Sequence, residues 1–176
     1  AMPKLKAVFY AAGNVKAFAP PLIDRDVILV SAWEANAIPV AEMCLSQILL
    51  SLRGYFRAAR QYRDTHNNQS AKAFTHPGVN GATVGLLGVG KIGTRLRELL
   101  RDYPLKVIAY DPFLTAERAA ALDIESVSMD AVFERADVVS NHIPDIPDTR
   151  GVLTERHFAA MRSGASFINT GRGAQV

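Results

Sequence analysis

The sequence predicts an α/β fold built on a parallel, doubly wound sheet. Short apolar runs alternate with segments of helical periodicity along most of the 176 residues. One junction between an apolar run and a helical segment is a glycine-rich turn at residues 88–93, a typical crossover of such sheets. Hydrophobic residues make up 49% of the chain, which supplies a buried core easily. Ligands are therefore expected at the carboxyl ends of the strands.

The first third of the chain predicts two strands and one long helix. The strands are expected at residues 5–10 and 27–30, the first of them running into a turn of small residues at 11–14. Pro39 is a favoured first helical residue, and the apolar periodicity after it predicts a helix to about residue 63. Residues 65–81 are polar and rich in Asn, Gly and Pro, which predicts an irregular connection.

This long helix carries more apolar surface than one flank of a single domain needs, so it is expected to bridge two domains or a subunit interface. Glu42, Gln47 and Arg53 interrupt its apolar run, which argues against a membrane span. Cys44 is the only cysteine, so disulfides and cysteine metal sites are excluded. With no signal peptide ahead of the first strand, a reducing, cytoplasmic location is expected.

The glycine-rich turn, Gly-Val-Gly-Lys-Ile-Gly, lies between a predicted strand at 83–87 and a predicted helix from residue 91 to about 101. Its first glycine permits the tight turn, its second lets the backbone approach a pyrophosphate, and its third allows close packing of helix on strand. These are Gly88, Gly90 and Gly93. The free N–H groups at the start of the helix would bind phosphate, so the unit predicts a Rossmann-type dinucleotide site. A glycine-rich turn that binds nothing is the alternative.

The choice of cofactor follows from Asp111. It ends the next predicted strand, at 105–110, about twenty positions after the glycines, where a carboxylate accepts both ribose hydroxyls of an adenosine. The 2′-phosphate of NADP would face this charge, and Pro112 and Phe113 supply no cation. One uncompensated like-charge contact costs on the order of one to a few kcal/mol, hence tenfold or more in affinity. NAD is the predicted cofactor.

The rest of the chain continues the alternation. Thr115 and Ser128 are predicted N-caps of helices that end near residues 122 and 135, and Thr154 of a helix that carries Phe158 and Met161. Strands are expected at 137–142 and 165–169, and the second of them runs into the sequence Thr-Gly-Arg-Gly at 170–173.

Several of these segments occur together in one family. They are His-Ile-Pro at 142–144, Thr-Arg-Gly at 149–151, Ile-Asn-Thr-Gly-Arg-Gly at 168–173, Val-Ala-Glu at 40–42 and the glycine-rich unit at 84–93. In the order in which they occur along the chain, these segments resemble the cofactor domain of the NAD-dependent D-2-hydroxyacid dehydrogenases. The similarity runs from about Lys4 to Val176. The resemblance implies hydride transfer between NAD(H) and a small 2-hydroxy or 2-oxo acid.

Arg172 corresponds to the family's catalytic arginine, which binds the substrate carboxylate and polarises its keto group. A guanidinium is always charged and offers forked donors that match a 2-oxo acid. From spacing alone, Arg172 is equally an exposed arginine on a glycine-flanked loop; the Asn-Thr-Gly-Arg-Gly context favours catalysis.

The resemblance also implies which residues contact the two ligands. The expected cofactor contacts, beside the three glycines, are Lys91, Ile92, Asp111, His142, Ile143, Pro144, Thr149 and Thr170. Ala12 and Gly13 match the turn whose N–H groups receive the substrate carboxylate, although Asn14 departs from the usual residues there. No metal site is expected.

The family's catalytic glutamate and histidine follow the arginine, whereas His66, His76 and His157 precede it here. Residues 1–38 are therefore expected to be the remnant of a substrate domain, and 39–176 a truncated NAD-binding domain that alone turns over nothing. The parent is expected to be a homodimeric dehydrogenase.

Two other functions fit the same residues. One is an NAD(H)-sensing module like the C-terminal-binding corepressors, and the other a formate or phosphite dehydrogenase of the same superfamily. The net charge of +3 is too small for a nucleic-acid footprint. Arginines at positions 53, 57, 60 and 63 lie at helical spacing and are interpreted as a solvated helix face rather than a phosphate-binding stripe. Neither nucleic acid nor membrane is an expected partner.

Overall fold

The computed structural model describes residues 2–66 and 78–176, so most of the predicted irregular connection, His76 included, lies outside the described residues. Backbone contacts divide the chain into two compact units, Ala1–Val40 and Ala41–Val176. The predicted domain boundary after residue 38 stays a prediction.

The first unit contains one parallel strand pair. Strand β1 (Ala7–Tyr10) pairs with β2 (Ile28–Ser31), and the short helix α1 (Pro20–Ile23) lies between them in the chain. Both strands were expected from their apolar runs. The turn after β1 is closed by the Ser31 hydroxyl, which donates to the carbonyls of Ala12 at 2.9 Å and Gly13 at 2.8 Å.

The predicted long helix is two helices. Helix α2 spans Trp33–Leu52, so Pro39 lies inside it, and α3 spans Tyr55–Thr65. The prediction of a start at Pro39 was wrong, because the preference of proline for the first turn is weaker than the helical continuity of residues 33–52. The break between the two helices falls at Gly54, which has a φ of +70°. This is a left-handed conformation that residues other than glycine adopt only with strain.

Helix α2 is long and apolar enough, at 20 residues and a mean hydropathy of 1.4, to cross a membrane by length and composition. Core helices of soluble proteins meet the same criterion. The predicted absence of a membrane span therefore stays a prediction.

The second unit is built on a five-stranded parallel sheet of order β5-β4-β3-β6-β7. The strands are β3 (Thr83–Leu87), β4 (Lys106–Tyr110), β5 (Glu125–Ser126), β6 (Val138–Asn141) and β7 (Ser166–Asn169). The helices are α4 (Lys91–Leu100), α5 (Ala116–Leu122), α6 (Met129–Arg135) and α7 (Glu155–Ala159). The predicted doubly wound parallel sheet is confirmed.

The strand order determines where the sheet has a crevice at its edge. From β3 the chain moves outward to β4 and β5, then returns to β6 on the other side of β3. The order thus reverses between β3 and β6, where Leu87 lies opposite Asn141 at the carboxyl ends. In open α/β sheets, ligands bind outside the carboxyl ends of the strands at this point of reversal.

The core and the helix caps follow the sequence pattern. Leu87, Ile108 and Phe133 belong to one buried cluster that α6 and the sheet share. The Thr115 hydroxyl accepts the N–H of Arg118, and that of Ser128 caps α6 likewise, as predicted. Strand β5 was not predicted because two residues carry no measurable periodicity.

Candidate cofactor and substrate site

The first glycine of the turn lies where three strands end. The N–H of Gly88 donates to the Tyr110 carbonyl of β4 at 2.9 Å, and the His142 N–H donates to the Leu87 carbonyl of β3 at 2.8 Å. Gly88 has a φ of +90°, and a Cβ there would lie 3.1 Å from the carbonyl of His142. Only glycine makes this turn without strain, as the sequence predicted.

The other two glycines have opposite surroundings. A Cβ on Gly90 would meet nothing within 4 Å, so open space lies over the first turn of α4. A Cβ on Gly93 would collide with the carbonyl oxygen of Gly88, so α4 packs on the turn as closely as backbone allows. The first N–H groups of α4 have no partner within the helix. An open cradle over the first turn of a helix fits a pyrophosphate.

Lys91 and Ile92 form the first turn of α4. Lys91 is exposed and Ile92 half-buried, so the lysine side chain reaches solvent beside the cradle. Their predicted place over a pyrophosphate agrees with this position, and their role stays a prediction.

Asp111 is tied to the turn by its carboxylate. One oxygen accepts the N–H of Val89 at 2.7 Å and the other that of Phe113 at 2.8 Å. Each carboxylate oxygen has a second lone pair, so the two oxygens of Asp111 can still accept hydrogen bonds from two ribose hydroxyls. Asp111 is half-buried, and Phe113 beside it is 85% exposed.

His142 and Thr170 meet beneath the turn. The imidazole Nδ1 lies 2.9 Å from the Thr170 hydroxyl, which donates to the Asn141 carbonyl at 3.1 Å. Burial lowers the pKa of His142 from 6.5 to about 4, so the ring is neutral at pH 7. The Cys44 thiol lies 3.9 Å from the same hydroxyl, and burial raises the pKa of this thiol. His142 is therefore suited to fix Thr170 and not to donate protons, and its predicted contact with the cofactor stays a prediction.

We predict that this burial makes the free energy of unfolding fall in acid. The unfolded histidine titrates near 6.5 and the folded one near 4, so protons bind the unfolded chain preferentially between these values. The contribution of His142 to the free energy of unfolding is thus fully present above about pH 6.5. It is lost as the pH falls toward 4, by up to about 3 kcal/mol. Urea unfolding at pH 7.5 and pH 4.5 measures this.

The variant His142→Asn should flatten this dependence by removing the titrating group. His66→Asn, which changes an exposed histidine at the end of α3, serves as the control and should keep the wild-type slope. Equal slopes in the wild type and His142→Asn would contradict the prediction.

The segment after β6 is held by its own side chains. The Thr149 hydroxyl donates to the Pro144 carbonyl at 2.6 Å and accepts the Ile146 N–H at 3.1 Å. Ile143 is buried, whereas Pro144 is exposed. Thr149 therefore shapes this loop from within, and the predicted cofactor contacts of all three residues stay predictions.

The loop that carries Arg172 is fixed by buried amides. The Asn141 amide donates to Gln175 Oε1 at 2.7 Å and to Asn169 Oδ1 at 3.1 Å. These two oxygens also accept the N–H of Arg172 at 3.3 Å and of Gly171 at 3.0 Å. Arg172 is exposed, and its guanidinium donates to the Gly171 carbonyl at 3.0 Å. The backbone is thus fixed while the cation faces outward.

Gln175 and Asn141 were missed by the sequence analysis. Gln175 is fully buried, and its amide also donates to the carbonyls of Ile143 at 2.6 Å and Pro144 at 3.1 Å. It therefore joins the loop after β6 to the loop after β7. The available signal was an asparagine at the carboxyl end of each of two neighbouring strands, Asn141 and Asn169.

Ala12 and Gly13 belong to the first unit. They form the turn after β1 that the Ser31 hydroxyl closes, and the side chain of Asn14 accepts the N–H of Lys16 at 3.0 Å. The predicted contact of this turn with a substrate carboxylate stays a prediction.

The glycine turn, the acid after the neighbouring strand and the point of reversal in a five-stranded parallel sheet together define a Rossmann-type dinucleotide-binding domain. Residues 45–176 match the family described as D-isomer specific 2-hydroxyacid dehydrogenase, NAD binding domain. The chain belongs to this family, and its cofactor is NAD. The resemblance drawn from the sequence is confirmed.

Individual proteins that are similar to this chain agree with this family assignment. The chain is 33% identical to D-3-phosphoglycerate dehydrogenase of Mycobacterium tuberculosis, over 100% of this chain and 33% of the relative. It is 32% identical to D-lactate dehydrogenase of Escherichia coli, over 93% of this chain and 48% of the relative. An NAD-complexed D-isomer specific 2-hydroxyacid dehydrogenase of Lactobacillus delbrueckii ssp. bulgaricus superposes with a TM-score of 0.81 at 26% identity, over 97% of this chain and 51% of that one. The chain thus spans a third to a half of the length of these relatives.

Proposed function

We propose that the whole protein is an NAD-dependent oxidoreductase that interconverts a small 2-hydroxy acid and its 2-oxo acid. The observation that carries this proposal is the position of Arg172. It follows β7, and the glycine turn follows β3, at the same carboxyl edge of one parallel sheet. A cation that faces outward beside a dinucleotide site is suited to bind an acid next to the nicotinamide.

The arginine has two tasks in this mechanism. Its guanidinium would bind the substrate carboxylate and polarise the keto oxygen, where negative charge develops during reduction. Bound NAD(H) supplies or accepts the hydride. The buried Gln175 and the neighbouring Asn169 keep the arginine backbone in place, which reduces the reorganisation that the reaction requires.

The substrate class is supported by the relatives. The chain is similar to lactate and phosphoglycerate dehydrogenases, whose named substrates are both 2-hydroxy acids. Ala12 and Gly13 are the proposed donors of backbone N–H groups to a substrate carboxylate. The residues that would line the cofactor are Lys91, Ile92, His142, Ile143, Pro144, Thr149 and Thr170.

The test is reduction of 2-oxo acids by NADH in the whole protein. Pyruvate, glyoxylate and hydroxypyruvate are offered beside pyruvamide, which keeps the keto group and lacks the carboxylate. We expect turnover of at least one acid and none of pyruvamide. Oxidation of formate or phosphite without reduction of any 2-oxo acid would favour those dehydrogenases instead. NADH-dependent capture of a protein partner without any turnover would favour a sensing module.

We also propose a cytoplasmic homodimer without nucleic-acid or membrane partners. Met43 and Leu50 lie one heptad apart on α2 and are 52% and 38% exposed. Tyr55 and Phe56 at the start of α3 add exposed aromatic surface. Such a patch is typical of an interface between subunits.

We predict that Leu50→Glu makes the protein monomeric, because an unpaired carboxylate in an apolar interface is costly to desolvate. Sedimentation velocity measures the change. Ala121→Glu, which adds the same charge at an exposed position of α5, is the control and should leave the dimer intact. A dimer that persists in Leu50→Glu would place the interface elsewhere.

A further inference from the structure

Arg118 binds the glycine turn from α5. Its Nη2 donates to the carbonyl of Val89 at 2.7 Å and to the hydroxyl of Thr94 at 2.9 Å. The Thr94 hydroxyl itself lies 3.2 Å from the same carbonyl and donates to it. The guanidinium therefore joins α5, α4 and the turn at one backbone oxygen.

Val89 is consequently held at both ends by groups of opposite charge. Its N–H is bound by the Asp111 carboxylate at 2.7 Å, and its carbonyl by Arg118. Val89 directly follows the first glycine, at the edge of the turn where Asp111 would bind the ribose. The residues that follow Asp111 in sequence, Pro112 and Phe113, supply no cation. The following helix brings the Arg118 cation to Val89, the same residue that Asp111 binds.

The guanidinium of Arg118 has further hydrogen-bond donors besides the one that binds the turn. Its bonds to Val89 and Thr94 use Nη2, and within residues 2–66 and 78–176 no acceptor lies within hydrogen-bond distance of its Nε or Nη1. The side chain is exposed, so these donors face solvent. A guanidinium held at one nitrogen, with the others available, is suited to bind a phosphate.

We propose that Asp111 and Arg118 set the cofactor preference together. Asp111 excludes the 2′-phosphate of NADP, and Arg118 is the cation that accepts this phosphate once the Asp111 charge is removed. The proposal rests on the proposed position of the adenosine ribose at Asp111. It assigns to Arg118 a specificity-determining role besides its bond to the turn.

Charge explains why NAD is preferred while both residues are present. A 2′-phosphate carries close to two negative charges and would meet the Asp111 carboxylate, while the same carboxylate offsets the attraction of Arg118. Without the carboxylate, charge-assisted bonds from Nε and Nη1 become favourable, and such bonds typically change affinity by roughly tenfold or more.

The experiment measures the dissociation constants of NADH and NADPH by fluorescence titration of the whole protein, four test variants and two control variants. The test variants are Asp111→Ser, Asp111→Asn, Arg118→Met and the double variant Asp111→Ser/Arg118→Met. Arg95→Met removes an exposed arginine of α4 that pairs with Glu98 and controls for net charge, alone and with Asp111→Ser. The quantity compared is the ratio of NADPH to NADH affinity, which a general loosening of the turn would not change.

We expect Asp111→Ser to raise this ratio by about thirtyfold, and about tenfold of the gain to disappear when Arg118→Met is added. Adding Arg95→Met should leave the gain unchanged. An equal gain with and without Arg118 would overturn the proposal. Loss of both cofactors in both Asp111 variants would also overturn it, because Asp111 would then maintain the turn and not select the cofactor. Failure of the unaltered whole protein to bind NADH would instead refute the proposed site itself.

Discussion

Replacing Arg172 by alanine in the whole protein should lower kcat for a 2-oxo acid about a hundredfold or more and leave the NADH dissociation constant nearly unchanged. The guanidinium faces outward, and its one hydrogen bond within the described residues goes to the adjacent Gly171 carbonyl. Its loss therefore breaks no buried contact. A cation that stabilises charge in the transition state is typically worth about 3 kcal/mol.

The measurement is steady-state turnover together with NADH titration. Arg172→Lys should recover only part of the rate, because an ammonium lacks the forked donors of a guanidinium. Arg150→Ala is the matched control, since Arg150 is also exposed on a loop and lies 3.5 Å from Asp145. Equal losses of turnover and NADH binding in Arg172→Ala would show that Arg172 acts on the structure of the site.

The fold could be predicted wherever local chemistry and periodicity agreed. The strand before Gly88 and the helix that begins at Lys91 have the expected bounds within a residue or so, because apolar pattern, turn glycines and helix start coincide there. Pro39 misled for the opposite reason: its preference for a helix start is weak beside the continuous apolar face of α2. Gly54, which does end that helix, gave a signal that the periodicity across it hid.

The site was predictable as a set of motifs and not as a network. Gly88, Gly90 and Asp111 follow from the chemistry of a pyrophosphate and a ribose. Arg118 and Gln175 do not, because each acts on residues that are distant in sequence and only the folded sheet brings them together. Such residues require the three-dimensional arrangement of the crossovers.

Gly90 and Gly93 provide the second large effect, since alanine at each should abolish or strongly weaken NADH binding for a different reason. A Cβ at Gly93 would collide with the Gly88 carbonyl, which cannot yield because Gly88 is bonded to Tyr110 and packed on His142. Helix α4 must then move off β3, at a cost of roughly 1–3 kcal/mol in the free energy of unfolding.

At Gly90, by contrast, the new methyl meets no protein atom, and the extended backbone there, with φ −74° and ψ −153°, needs no left-handed conformation. Stability should change by less than about 0.5 kcal/mol, while the methyl occupies the open cradle and weakens NADH binding tenfold or more. Urea unfolding and NADH titration of both variants separate packing from binding. A Gly90→Ala variant that binds NADH like the wild type would mean that the pyrophosphate does not lie over this glycine.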